Sequence, residues 1–234
     1  MAAVKNPLIS AIIPAFNEKL YIEKCVSSLK NQTLDKSMYE IIVVDNGSND
    51  NTYELAKNMG VKVLKEPQRG VSNARNTGVA HAQGELLVFP DADCLYPKDW
   101  LSRIVNIFKE SPDLDALGGT FVFYDATPFW EKASVFSKRF VYHIAGGNMA
   151  VKKNAFQQVG GFDPRYNIGE ELLLELKLKD LKKKVKIDRS LVINYSFRRF
   201  GKSFLKLSLF WFVNDIWIHL FRKPLNHNYR ATAR

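Results

Sequence analysis

Short unbroken apolar blocks mark the first half of the chain, and stretches with helical spacing separate them. The blocks are LISAIIPAF (8–16), EIIVVDNGS (40–48), VKVLK (61–65) and ELLVF (85–89). Apolar runs without alternation predict strands buried on both faces. Between them, NEKLYIEKCVSSLKNQ (17–32) puts Leu20, Ile22, Val26 and Leu29 at helical spacing. NDNTYELAKNMG (49–60) reads as a helix with a polar cap and a terminal Gly, and QRGVSNARNTGVAHAQG (68–84) as a helix entered at Gly70 or Ser72. Strand and helix in alternation predict an α/β fold, a mostly parallel sheet with helices on both faces. Such sheets bind ligands beyond the carboxyl ends of their strands. Polar clusters fall there: Asn17 with Glu18, Asp45 to Asp50, and Asp91 with Asp93.

The second half is less regular. LDALGGTFVFYD (114–125) and KIDRSLVINYSF (186–197) read as strands, and GEELLLELKLKDLKK (169–183) as a helix with two acids in its first turn. FWEKASVFSKRFVY (129–142) reads as an aromatic helix or a loop. GGNMAVKKNAFQQVGGFDP (146–164) reads as a Gly-rich turn, a short helix and a second turn. With no internal repeat or flexible linker, the expectation is one domain in three parts: 1–115, 116–200, and an apolar helix with its tail at 201–234. KSFLKLSLFWFVNDIWIHLFRKP (202–224) is the most apolar run, with Arg198, Arg199 and Lys202 before its core and Arg222 and Lys223 after it. Its length of ~18 residues is borderline for spanning a bilayer. The Asn214–Asp215 pair near its centre opposes spanning, since an acid at mid-bilayer costs ~3 kcal/mol. A helix lying in a membrane interface fits this run, and so does one packed on the domain core or on a second subunit.

Charge sharpens the division. The 234 residues carry a net +10, unevenly: residues 1–115 hold 13 Lys and Arg against 15 Asp and Glu, and residues 116–234 hold 21 against 9. The basic half suits an anionic membrane or an acidic substrate, although KLKDLKKKVK (177–186) on solvated faces supplies much of the excess. No stacking platform or motif supports nucleic-acid binding. Two distant cysteines, Cys25 and Cys94, argue against a disulfide framework, and MAAVKNPLIS lacks a secretory apolar core. The expected location is therefore cytoplasmic, with the inner face of the cell membrane as the alternative.

The candidate chemistry lies at the strand ends. Asp91-Ala92-Asp93 follows a buried strand. In extended chain its two carboxylates point the same way and need a counter-charge. Hard oxygens at this spacing suit Mg²⁺ or Mn²⁺, and the plainer reading is an Asx-turn. Asp45 ends a strand where an acid can accept hydrogen bonds from a ribose or base, whereas capping accounts for Ser48, Asn49 and Asp50. Arg69, Arg75 and Asn76 sit near a helix start suited to phosphate. Glu170 and Glu171 open a helix, where an acid stabilises the dipole or serves as a general base. No strand–helix junction carries G-x-G-x-x-G, which opposes a dinucleotide oxidoreductase.

Taken together, PAFNE (14–18), VVDNGSNDNT (43–52), RGVSNARNTG (69–78), the FPDAD run, GGNMAVKK and GFDP…GEE stand in the order and spacing of inverting family-2 glycosyltransferases. The chain resembles that family over roughly residues 8–200. The resemblance implies a GT-A fold, a Rossmann-like nucleotide-binding half fused to an acceptor-binding half, and transfer of a sugar from a nucleoside-diphosphate sugar. It implies that Pro14, Phe16, Glu18 and Asp45 line the nucleoside pocket and that Arg75 and Ala92 lie by the diphosphate. Asp91 and Asp93 would hold the divalent cation, Mn or Mg. Gly147, Asn148 and Met149 would border the sugar and acceptor cleft. The base maps to Glu171, with Glu170 as the alternative. The acceptor would be a glycan or a lipid-linked molecule of the cell envelope. Two departures stand out: Leu173 replaces an acid common in the family, and NYSFRRF (194–200) lacks the usual His, with Tyr195 or Arg198 near its place. They keep open a catalytically inactive nucleotide- or glycan-binding module. A nucleotidyltransferase would need a Gly-rich loop after the first strand, and PAFNEK offers none.

Overall fold

The computed structural model describes residues 6–137, 141–144, 146–199 and 204–225. Within them, eight strands form one sheet in the order β3-β2-β1-β4-β7-β6-β8-β5. The four expected strands of the first half are β1 (Ile9–Ala15), β2 (Tyr39–Asp45), β3 (Lys62–Lys65) and β4 (Leu86–Val88). All pair in parallel, with Ile9 opposite both Tyr39 and Leu86. Alternate residues of β1 supply the two cores. Ile9, Ala11 and Ile13 face helices α1 (Ile22–Lys30) and α4 (Trp100–Glu110), while Ile12 faces α3 (Val71–Ala80), α6 (Lys153–Gln158) and α7 (Glu170–Asp180). Burial on both faces explains the unbroken apolar blocks. On the second face, Phe89 packs against Phe156 at 5.6 Å and Phe162 at 5.1 Å between ring centroids, each pair worth about 0.5–1.5 kcal/mol beyond its buried area.

Helix α2 (Thr52–Asn58) joins β2 to β3. Three elements went unassigned from sequence. WLSRIVNIFKE forms α4, which buries Trp100, Leu101, Ile104, Val105 and Phe108. Cys94–Leu95 forms the short strand β5. GGNMAVKK, read as a turn, contains β7 (Met149–Lys152), only four residues long behind two glycines. Strand β7 runs antiparallel to β4 and to β6 (Leu114–Phe123), while β8 (Lys184–Tyr195) is parallel to β6. The start of β7 therefore shares an edge with the ends of β1, β2, β4, β6 and β8. That edge carries the polar clusters.

The aromatic segment is helical as α5 (Pro128–Ser137); its expected continuation through 138–140 lies outside the described residues, as do Lys202 and the tail from 226. The apolar run forms α8 (Phe204–Phe221). Its inner face puts Ile218 against Leu172, Leu173 and Leu176 of α7. Its outer face leaves Leu209, Phe212, Val213, Ile216 and Leu220 exposed, at 42–69% of their full surface. Among the described residues no helix is long and apolar enough to cross a membrane. Asp215 of α8 accepts from His143 Nε2 at 3.0 Å, and Nδ1 of the same ring meets the Ile144 carbonyl at 2.9 Å.

Candidate active site

Past β4, the chain turns at Ala92–Asp93, closed by the Cys94 N–H donating to the Asp91 carbonyl at 3.2 Å. The extended conformation expected for Asp91 and Asp93 is thus replaced by a turn, and two arginines rather than one counter-charge meet their repulsion. Arg75 Nη2 lies 3.1 Å from Asp91, and Arg198 Nε lies 3.0 Å from the buried Asp93. Tyr96, which the sequence did not single out, locks the turn in place. Its hydroxyl accepts from the Asp91 N–H and donates to the Gly147 carbonyl, both at 2.9 Å.

Arg75 comes from α3 and is 1% exposed. Its Nη1 donates to Glu170 at 2.8 Å and Glu171 at 3.1 Å, and its guanidinium faces the Phe162 ring. Three carboxylates around one cation leave an excess of negative charge in a low-dielectric place. Burial alone would lower the arginine, but Glu171, Asp91 and Glu170 together hold it above its usual range. Burial first, and then the charge of Glu171, push the Glu170 carboxyl up to about 8, with Arg75 pulling the other way. Its surroundings thus favour the protonated form of Glu170. Glu171 is the more open of the two, its side chain 15% exposed against 6%. Gly169 opens α7 at φ +68, a left-handed conformation that Gly adopts freely. The family acid position, Leu173, is here a helix–helix contact with α8.

Asp45 ends β2 and is buried. Its Oδ2 accepts from the Ser48 N–H at 3.3 Å, while Oδ1 has no partner among the described residues. Pro14 lies opposite Val44 in the β1–β2 register. The Phe16 ring lies 3.1 Å beneath the Arg69 guanidinium, which donates to the Asn46 carbonyl at 2.8 Å. Glu18 is buried and takes Arg198 Nη2 on both carboxylate oxygens. The start of α3 is filled by protein: the Gly70 N–H donates to Asn46 Oδ1 at 2.7 Å, and the Asn76 amide brackets Phe162. Arg69, Arg75 and Asn76 are therefore all engaged within the chain. Ala92 is buried and offers its backbone alone.

Across from these groups, Gly147 stands at φ +79, and a Cβ there would lie 3.1 Å from Asp91 Oδ2. Asn148 and Met149 are each 1% exposed. Asn148 donates to the Thr120 and Leu191 carbonyls and accepts from Trp100 Nε1. Of the three residues expected at a cleft, Gly147 faces the aspartates, and the other two hold it from the core. Of the two residues near the place of the usual His, Tyr195 packs its ring on Phe121 and Arg198 reaches Asp93. A groove of ≈ 540 Å³ lies elsewhere, at the start of β4.

The profile described as Glycosyl transferase family 2 matches residues 10–167, about two thirds of the chain and inclusive of every strand end just described except that of β8. The chain belongs to glycosyltransferase family 2. The glycosyltransferase AglE of Haloferax volcanii is 34% identical over 173 residues, covering 67% of this chain and 56% of AglE. A Methanococcus voltae enzyme, dolichyl N-acetyl-alpha-D-glucosaminyl phosphate 3-beta-D-2,3-diacetamido-2,3-dideoxy-beta-D-glucuronosyltransferase, is 27% identical over 232 residues, 86% of this chain and 70% of that one. The chain thus spans little more than half of AglE. A mannosyltransferase from Pyrobaculum calidifontis, solved with GDP-Man and Mn²⁺, superposes with a TM-score of 0.75 at 21% identity, over 94% of this chain and 65% of that one. That likeness establishes the GT-A fold for this chain.

A metal fits the acidic turn by donor chemistry. Ligand atoms of Asp91, Asp93 and Cys94 all lie within 4.8 Å of one another. Burial, and then Asp93 and Asp91, push the Cys94 thiol well above its usual range, so it stays protonated. The two carboxylates remain as donors, a hard oxygen set suited to Mg²⁺ or Mn²⁺.

Proposed function

We propose that the chain transfers a sugar from a nucleoside-diphosphate sugar to an acceptor hydroxyl with inversion at the anomeric carbon. The observation that carries this reading is Arg75, which joins Asp91 at the leaving-group side to Glu171 at the base side through one guanidinium. Residues 1–115 supply the donor half in this reading and 116–200 the acceptor half. Asp45 Oδ1 is a buried acceptor awaiting a donor, a deficit of about 1–3 kcal/mol that a ribose O–H or a base N–H would relieve. Pro14, Phe16 and Glu18 line the same end of β1. A divalent cation, Mn²⁺ or Mg²⁺, held by Asp91 and Asp93 would neutralise the departing diphosphate. Glu171 takes the proton of the acceptor hydroxyl while its oxygen attacks the anomeric carbon, and the bond to the diphosphate breaks on the opposite face. Glu170, protonated and more deeply buried, keeps the second carboxyl from repelling the base. Gly147 leaves room for the sugar beside Asp91, where any side chain would press on that carboxylate.

Calorimetry of a panel of nucleoside diphosphates, with and without Mn²⁺, tests the donor site. One nucleotide should bind in a metal-dependent way and be lost in Asp93→Ala; no binding by any of them sinks the assignment. Glu171→Gln should keep that binding and lose about 10²–10⁴-fold in transfer.

The outer face of α8 favours a lipid-linked acceptor, in keeping with the dolichyl N-acetyl-alpha-D-glucosaminyl phosphate in the name of the Methanococcus voltae relative. Exposed large apolar side chains beside Arg222 and Lys223 suit a helix lying on an anionic membrane. The chain should co-sediment with vesicles containing anionic phospholipid and fail to do so after Phe212→Glu with Leu220→Glu. Equal recovery with and without vesicles would refute the surface reading, and a concentration-dependent dimer that the double variant abolishes would reassign the face.

A further inference from the structure

Arg198 holds Asp93 and Glu18 at once, from opposite sides of the acidic edge. We propose that Arg198 guards the metal and diphosphate site: it neutralises Asp93 in the ligand-free chain, keeps a divalent cation off that carboxylate, and turns onto the donor's phosphate oxygens when the donor arrives. This rests on the donor-site reading above.

The two arginines of the site differ in how they are held. Arg75 lies in the interior, 1% exposed, bound by three acids and backed by Phe162. Arg198 is 26% exposed at the mouth and grows from a three-residue turn, Phe197–Arg199, just past β8. The turn itself is anchored independently of the guanidinium: the Ser196 hydroxyl donates to Asp125 at 2.6 Å, the Phe197 N–H donates to the same carboxylate, and the Arg198 N–H donates to Ser196 Oγ at 3.3 Å. The side chain can therefore swing without unmaking its base. Its guanidinium rests 4.2 Å from the centre of the Tyr21 ring, a flat platform on the α1 side of the site.

The charges then decide the order of events. A guanidinium does not lose its proton in a protein, so its charge cannot be removed to admit a metal. A divalent cation on Asp93 beside this arginine would set three positive charges against the two carboxylates, Asp93 and Glu18, that the arginine holds. The clash disappears once a diphosphate brings its own negative charge. Arginine's planar fork matches phosphate oxygens as well as it matches the carboxylates it leaves. Metal and nucleotide binding become coupled through this side chain, in addition to any direct contact between them. A permanent strut joining the ends of β1 and β8 would make the same ligand-free contacts and repel the cation equally, but its removal would not weaken nucleoside diphosphate binding in the presence of Mn²⁺.

The test is a titration with Mn²⁺ alone, followed by the loss of the free-ion electron paramagnetic resonance signal, on wild type, Arg198→Gln and Arg198→Lys. Arg198→Gln should bind Mn²⁺ about tenfold more tightly than wild type, within the usual range for coupled sites. Arg198→Lys, which keeps the charge, should stay near wild type. In the presence of Mn²⁺, nucleoside diphosphate should bind Arg198→Gln more weakly than wild type. Arg198→Met, which keeps a stem over Tyr21, replaces the Gln variant should that one fail to fold. Unchanged, weaker or absent Mn²⁺ binding in the neutral variant overturns the proposal. The titration contains no nucleotide, so a nucleotide panel that binds nothing sinks the donor reading separately, whatever the metal does.

Discussion

At the residue scale, position relative to a strand end carried the most information. Asp45, Asp91 and Asp93 were legible because each follows an apolar block, and Glu170 and Glu171 because they open a helix. Their partners were not legible. Arg75 meets Glu171 across 96 positions and Arg198 meets Glu18 across 180, and no local pattern encodes such pairings. Tyr96, Tyr21 and Phe162 were missed for the same reason, since each works by touching a distant group. The Glu170–Glu171–Arg75 cluster also makes a prediction about pH. Glu170 is raised from an ordinary value of 4.5 to about 8, first by burial and then by Glu171. The folded chain therefore holds a proton that the unfolded chain releases between those values. Its contribution to stability is full below about 4.5 and fades as pH rises through 8. Urea midpoints should show that fall, and Glu170→Gln, neutral at every pH, should flatten it. An equal slope in the variant would place the titration elsewhere.

At the element scale, segments bounded by clear turn signals are legible even when short, as β3 and β4 are, and segments crowded behind glycines or an acidic turn are not. Strand β7 has four residues and sits behind Gly146 and Gly147, so turn chemistry masked it. Helix α4 has a clear apolar face but begins five residues after β5, close behind the acidic turn. The run at the C-terminal end was legible as a helix, while its two-sidedness was not: one face holds α7 and the other is bare. The contact with α7 has a direct bearing on the base. Ile218 reaches the Gly169 turn so closely that a Cβ on Gly169 would lie 2.3 Å from its Cδ1, and Glu170 and Glu171 follow at once. Ile218→Ala should cost about 2–5 kcal/mol, measured by chemical denaturation. It should also lower the turnover number more than it raises KM, because the start of α7 loses its support. His143 clasps α8 through Asp215. Burial opposes its charge, yet the Asp215 hydrogen bond and charge raise it from 6.5 to about 9. The clasp is complete below the lower value and fades as pH rises through the higher one, so alkaline buffer should loosen α8 in the wild type. Hydrogen-exchange protection factors in residues 204–221 that do not fall across that range would refute the link.

At the scale of the whole molecule, alternation of strands and helices was enough to place a parallel half-sheet and its active edge. The inserted antiparallel strand was beyond reach, because register and direction depend on pairings between distant segments. Among the described residues, much of the basic excess of the second half is solvated, with Lys179, Lys182, Lys184 and Lys186 exposed. Cys25 and Cys94 are fully buried beneath the aspartates, and the Cys25 thiol donates to the Asp91 carbonyl at 3.4 Å. Burial, with the nearby carboxylates, pushes both thiols well above their usual range. A thiol reagent should therefore label them only when the floor of the site opens. In effect the chain carries its own clock: colour released from a chromogenic disulfide would report each opening. Any ligand seated on the aspartates should slow that clock, by about a hundredfold at a hundredfold excess over its Kd. Unlabelled donors and metals can then be ranked on the native chain by stopwatch, without synthesising a single acceptor.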